Sequence, residues 1–522
     1  TFIITLIYSN LNAKHLRCIT KSNNIRHQNT DFDNRMSDVD EIIYFYALII
    51  PQQEIMNRKT KPNPKLSEIV QQFERRDQHS FPAVWDDKTY FKLIDFYTNQ
   101  GSIERALEVA NTALSHYKFR TDFYLLKANL LMGKMQLNEA KGVLEQAAKL
   151  SPYDRQVQIL KCKLLALQGH SEEALILVDE IKLIFHKTDI TDLLLLEAFI
   201  SETMKDFEKM FYTLKELLTH NPDNVEALEQ IWVSVEFSKK YEESINLHLE
   251  LIDRNPYSYL AWFNLGHAYS CLGEYEKALE ALEYSFIINV QFEQGYLDCA
   301  ELAVQMGQFE KAVDIYTEVL AHFGNDGDVV AYLSDCLIRL ERYKDAKKIL
   351  HKAYKADPYN DEICYYLGLC YMRCHETDKA IDFLKEAITI EEYREEYHAS
   401  LAECYSENGE LHLAEIHFAK AARTGMEQSQ YWTRYISFLL QNRNFEKAYK
   451  TIIRADKYSV GADLLFCKAA YHYLTGHRDN ALEVLKEAIQ DDQTQLEIFT
   501  SLAPASMEDS DFRGFIRYYC QS

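Results

Sequence analysis

Glycine and proline are scarce in this chain, 16 and 9 among 522 residues. So few turn residues argue against turn-rich β folds and against collagen-like or low-complexity classes. They also leave little room for a glycine-rich phosphate loop, which makes a βαβ nucleotide enzyme a poor reading. Basic residues are outnumbered: 57 Lys+Arg against 80 Asp+Glu give a net charge of −23. The basic footprint that a nucleic acid or an anionic membrane requires is therefore missing. Long apolar runs are missing too. Phe2–Tyr8 and Ile42–Ile50 fall far short of the ~20 residues that span a bilayer, and neither precedes a small-residue cleavage site. The eleven cysteines contain no CxxC pair, and most lie inside apolar helical patterns. They read as reduced thiols of a cytoplasmic protein rather than as a disulfide framework.

What the chain has is a period. Ala278, Ala312, Ala346, Ala380, Ala414 and Ala448 are each 34 residues apart, as are Ala106, Ala140 and Ala174. Met210 and Ser244 hold the same slot between these blocks, after one interval of 36, and Ala481 follows Ala448 after 33. A fixed period in this range marks a stacked repeat architecture. About twelve units fill residues 87–495.

The clearest unit runs Ala261-Trp262-Phe263-Asn264-Leu265-Gly266-His267-Ala268-Tyr269 and then Gly273-Glu274-Tyr275-Glu276-Lys277-Ala278-Leu279. Trp262, Leu265, Gly266, Tyr269 and Ala278 stand where the tetratricopeptide repeat (TPR) has its signature residues, and the unit resembles that family. Leu367, Gly368, Tyr371, Ala380 and Ala387 repeat the pattern, as do Leu401, Ala402, Tyr405, Gly409, Ala414, Phe418 and Ala421. Pro152, Pro222, Pro256 and Pro358 each fall twelve residues after an alanine slot. Across 57–522 the chain is also similar to large bacterial TPR-array proteins, most of them without an assigned activity. The resemblance implies an all-α fold, an α-solenoid forming a right-handed superhelix of about twelve helix-turn-helix units.

Side-chain size explains the slots. Small residues such as Gly266, Ala278, Gly368 and Ala380 let two antiparallel helices cross within ~8–10 Å. Leu265, Tyr269 and Leu282 form an apolar face that one helix pair cannot bury alone, so stacking is required. Gly101, Gly169, Gly273, Gly307, Gly409 and Gly476 share a turn slot suited to a left-handed helix end. Ile94, Trp232 and Ile436 stand where a small residue is usual, and Met210 displaces an alanine, so helix spacing should widen there and the array should be irregular around 191–258.

The expected organisation has four parts. Residues 1–56 are Asn-rich and unpatterned, and read as a disordered or non-native extension, with Met36 and Met56 as alternative starts and a lost targeting segment as the lesser reading. Residues 57–86 form a capping segment, with Leu66, Ile69, Val70 and Phe73 on one helical face. Residues 87–495 are the array, and 496–522 close it with C-terminal capping helices.

Catalytic signatures are lacking, including HExxH, GxSxG and Walker A patterns. Cys364, Cys370, Cys374 and His375 cluster and could be weighed as zinc ligands. Yet Cys336, Cys370 and Cys404 are 34 apart, in one core slot of successive repeats and ~10 Å from one another, too far to share an ion with ~2.3 Å bonds. Packing is the better reading, with His375 a turn residue. No metal, cofactor or catalytic residue is expected, and the chain reads as a non-enzyme.

Two functions fit. The first is a scaffold that binds an extended peptide or partner helix in its concave groove. The second is a regulatory or spacer subunit of an enzyme complex whose partner supplies catalysis, with a ligand-sensing regulator as a weaker third. In TPR proteins the groove is lined by first-helix residues, which the register places here at Glu229, Phe263, Asn264, Asp298, Glu301, Tyr332, Asp335, Tyr365, Tyr366, Glu396 and Glu403. Apart from Asn264, the Lys/Arg/Asn clamp by which chaperone-binding relatives hold a carboxylate terminus is absent. Acids and aromatic rings instead suit a protein partner carrying Lys or Arg, with no nucleic acid or membrane involved. The plainer alternative is that these acids only keep the surface soluble.

Overall fold

The structure is a computed structural model that describes residues 64–74, 85–184 and 190–521. The expected extension at 1–56 lies outside these residues, as does much of 57–86. Among the described residues there are helices and no strand. A short helix, α1 (Pro64–Glu74), comes first. Twelve helix pairs follow: α2 (Asp87–Asn99) with α3 (Ile103–His116), α4 (Thr121–Gly133) with α5 (Leu137–Leu150), α6 (Arg155–Leu167) with α7 (Ser171–Ile184), and α8 (Thr191–Thr203) with α9 (Phe207–His220). Then come α10 (Val225–Ser238) with α11 (Tyr241–Arg254), α12 (Tyr259–Cys271) with α13 (Tyr275–Ile288), α14 (Glu293–Gln305) with α15 (Phe309–His322), and α16 (Gly327–Arg339) with α17 (Tyr343–Ala356). The last pairs are α18 (Asp361–Arg373) with α19 (Thr377–Ile390), α20 (Glu395–Glu407) with α21 (Leu411–Thr424), α22 (Ser429–Gln441) with α23 (Phe445–Ala455), and α24 (Ala462–Leu474) with α25 (Arg478–Asp492). Two further helices, α26 (Leu496–Leu502) and α27 (Ser510–Gln521), follow the last pair. The chain divides into two units, 1–295 and 296–522, with the division inside α14.

The repeat register is visible in every pair. The alanine-slot residue is the fourth residue of each second helix, from Ala106 in α3 to Ala481 in α25. Met210 and Ser244 take the same position in α9 and α11 and are as buried as the alanines. Five residues before each slot stands a residue in the left-handed region. Six of these are the expected glycines, and the other six are Met135, Lys205, Lys239, Glu341, His375 and Arg443, all with φ near +57°. His375 is thus a turn residue. The turn geometry is imposed by the packing of the two helices, strongly enough to hold side chains that pay a steric penalty there.

The small first-helix residues have a physical reason. A Cβ placed on Gly266 would lie 2.7 Å from Leu282 Cγ, and one on Gly368 would lie 2.7 Å from Leu384 Cγ. Trp232, in the same slot, packs against the core. It stays half-buried, and its pair, α10 with α11, has the least close approach of any pair in the first unit. Ile94 and Ile436 are instead taken into the core. The two extra residues of the 36-residue interval fall between Ile184 and Thr191, so α8 and α9 keep the usual 13 and 14 residues. First helices begin with side-chain caps where the sequence offers one: Asp154 accepts from Gln156 N, Asn224 from Ala227 N and Asn360 from Ile363 N.

Candidate peptide-binding face

On the second unit, the predicted residues sit on four consecutive first helices. Asp298 and Glu301 are on α14, Tyr332 and Asp335 on α16, Tyr365 and Tyr366 on α18, and Glu396 and Glu403 on α20. Tyr332 is exposed and the others are half-buried. Tyr365 and Tyr366 stand 5.3 Å apart, and Tyr365 lies 4.7 Å from Tyr397 on the next first helix. Tyr365 also hydrogen-bonds Ser400, and Glu396, Glu403 and Arg434 act on it electrostatically. The structure therefore brings Tyr365, Tyr366, Glu396 and Glu403 into one neighbourhood.

The acids there are less bare than the sequence implied. Arg394 donates from Nη2 to Glu362 Oε1 at 3.0 Å and from Nη1 to Glu396 Oε1 at 3.2 Å, a fork between two repeats. Arg339 Nε donates to Asp335 Oδ2 at 2.7 Å, and Arg434 Nη1 lies 3.5 Å from Glu403 Oε1. Tyr397 donates its hydroxyl proton to Asp361 Oδ2 at 2.7 Å. Burial, chiefly, raises the Glu403 carboxyl above its ordinary range, opposed by Arg434 and Arg373. Burial also raises Glu362, with Arg394 opposing. It raises Asp328 too, helped by the neighbouring Asp326 and Asp361.

Sequence reasoning missed Asp328, Glu362 and Arg394. The first two were readable, because Asp328, Glu362 and Glu396 are 34 residues apart and are the second residues of α16, α18 and α20. Arg394 had no such signal, since it lies in the turn before α20.

On the first unit, Glu229 is on α10 and Phe263 and Asn264 are on α12. Glu229 and Phe263 are half-buried. Asn264 is a correction to the groove reading. It is 2% exposed, and its Nδ2 donates to the Leu228 carbonyl oxygen at 2.7 Å. A side chain buried between helices fixes their register instead of greeting a ligand.

The cysteine slots are packing positions. Cys336, Cys370 and Cys404 are buried, and burial pushes each thiol up to about 12. Cys271, by contrast, is exposed. No group of three or more metal-ligating side chains comes together among the described residues, and none of their helices is long and apolar enough to cross a membrane.

Such stacked antiparallel pairs with 34-residue register define an all-α solenoid of helix-pair repeats. Family comparison agrees. Residues 249–280, 303–353 and 341–404 match models described as tetratricopeptide repeat. These segments are tetratricopeptide repeats. The chain is 24% identical over 258 residues to Hsp70-Hsp90 organizing protein 1 of Glycine max, covering 48% of this chain and 43% of that one. It is 20% identical over 264 residues to TPR repeat-containing protein YpiA of Bacillus subtilis, covering 50% and 62% respectively. The chain thus spans less than two thirds of the length of either relative. Among solved structures, yeast Tom70 aligns with a TM-score of 0.40 and 14% identity over 83% of this chain and 100% of that one.

Proposed function

We propose that this protein is a non-catalytic scaffold that holds an extended peptide or a partner helix against its first-helix face, and that the bound segment carries Lys or Arg. One observation carries the reading: successive first helices of the second unit present an acid at the same level, Asp328, Glu362 and Glu396, next to Tyr332, Tyr365 and Tyr366. One acid per repeat, spaced by the stacking of helices, is a pattern that an extended basic chain can follow, and aromatic rings add cation–π attraction of ~0.5–2 kcal/mol each. The arginine forks show the chemistry in miniature, since Arg394 already lies between two of these carboxylates and 5.7 Å from the Tyr397 ring centroid. A partner's cation would join or displace it. The name of the soybean relative, an organiser of two other proteins, fits such a role. Buried thiols such as Cys336, Cys370 and Cys404 fit a reducing compartment such as the cytoplasm.

Affinity capture with wild-type protein and with a variant reversed in charge at Asp298, Glu301 and Asp335 tests the proposal. Partners should be lost from the variant, and their retention on the wild type should weaken as salt rises. Unchanged partners with unchanged salt sensitivity would refute the basic-segment reading.

A further inference from the structure

The first unit has its own unexplained feature, a band of aromatic rings running across neighbouring first helices. Trp232 on α10 is 5.0 Å from His267 on α12, and His267 is 4.5 Å from Phe263. Phe263 is 4.9 Å from Phe292, which is 4.9 Å from Tyr259. All five are half-buried. Beside them stands Glu229, half-buried, with neither an ion-pair nor a hydrogen-bond partner among the described residues.

We propose that Glu229 and this band, with Phe263 at its centre, form a binding site for the cationic side chain of a lysine on a partner protein. The proposal rests on the reading that first-helix faces bind the partner, and it places a specific contact on the first unit.

Three observations support it. The Asn264 bond to the Leu228 carbonyl pins α12 to α10 at this level, and Glu229 acts electrostatically on Tyr259 at one end of the band. Trp232 packs against the core of its unit and also reaches His267 of the neighbouring repeat, so the band joins two repeats. Among the described residues, no cation is one of the groups that act on Glu229. Burial first, and then Glu226, raise the Glu229 carboxyl to about 7. Other charged and titratable groups here are Tyr259 and His267 on α12, and Lys163 on α6, which acts on Glu226. A half-buried carboxyl is weakly screened, so once ionised it attracts a cation strongly and the cation in turn favours the ionised form, while aromatic faces add attraction for an ammonium group.

The test uses the full chain and a fluorescent peptide with lysine at every third position, followed by anisotropy at pH 6 and pH 8. Binding should be tighter at pH 8, where Glu229 is ionised. Glu229→Gln should weaken binding roughly 3- to 30-fold and remove the pH dependence. Phe263→Leu, which keeps apolar volume, should weaken it similarly with an unchanged melting temperature. The same peptide bearing trimethyl-lysine distinguishes the source of the cation: tighter binding assigns the site to methylated lysine, and equal or weaker binding assigns it to the unmodified side chain. Wild-type affinity in both variants overturns the site. So does a pH dependence that survives in Glu229→Gln, because it would then belong to another group. If the charge reversal at Asp298, Glu301 and Asp335 abolishes binding while these two variants do not, this site falls and the broader reading stands. If the wild type binds neither peptide, both fall.

Discussion

His398 Nδ1 and His417 Nδ1 face each other at 2.9 Å between α20 and α21. His398 Nε2 lies 3.1 Å from the Glu392 carbonyl oxygen, which can only accept, so this nitrogen carries the proton. Burial disfavours the charged form of His398, and in the neutral ring Nδ1 is the acceptor and His417 Nδ1 the donor.

Burial lowers both imidazoles, and for His417 the value reaches about 4, with His398, Lys420 and Lys385 adding to the effect. A histidine depressed in the folded state stays neutral there while the unfolded chain takes up a proton. Its contribution is complete above about 6.5, the ordinary value, and is lost as pH falls toward the folded value near 4. His417→Phe should flatten this part of the pH dependence. Melting temperatures of wild type and variant, measured at steps from pH 7.5 to 4.5, should converge as pH falls. Parallel curves would mean that the pair does not sense protons.

The left-handed turn residues predict a gain. Glu341 and Arg443 are exposed and have φ of 57° and 55°. Glycine adopts this conformation without the Cβ penalty of ~1–2 kcal/mol, at some cost in chain entropy. Glu341→Gly and Arg443→Gly should each stabilise by about 0.5–1 kcal/mol. Urea denaturation of the single variants checks this, and a loss of stability would show that the side chains hold the turns.

Overpacking a helix crossing should do the opposite. Ala380 is fully buried, and a Cβ on its partner Gly368 would press on Leu384. Ala380→Leu and Gly368→Ala should each cost about 1–3 kcal/mol. Thermal melts that match the wild type would contradict the assigned register at this repeat.

Cysteine labelling gives an independent reading of burial. Iodoacetamide at pH 7.5 should modify exposed Cys271 and half-buried Cys374 and Cys520 well before Cys336, Cys370 and Cys404. Peptide mass spectrometry after brief labelling distinguishes the sets. A chelator should leave the melting temperature unchanged, and a fall would reveal a bound metal.

The pair architecture was legible because one number, 34, recurs with a small residue attached, and packing allows few residues at a helix crossing. Met210 and Ser244 were placed correctly by register alone. Six of the turns were not legible as left-handed, since Met135 or Arg443 carries no mark of such backbone; the neighbouring helices impose it. The candidate face was legible only as a set of positions. Whether an acid there is bare depends on residues such as Arg394 and Arg434, which reach in from turns and neighbouring helices. The failure at Asn264 has the same origin, because burial depends on how closely the next helix approaches.

The fixed position of the alanine slot, fourth in each second helix, means that this chain is read in frame. Removing one residue from within α5 would turn everything after it by about 100° about the helix axis and swing Ala147 out of the core. Removing one between Ile184 and Thr191, where two residues are already in excess, would leave both flanking helices in phase. Length can therefore change inside the joints or by whole helix pairs, and nowhere else without shifting the frame of a buried face.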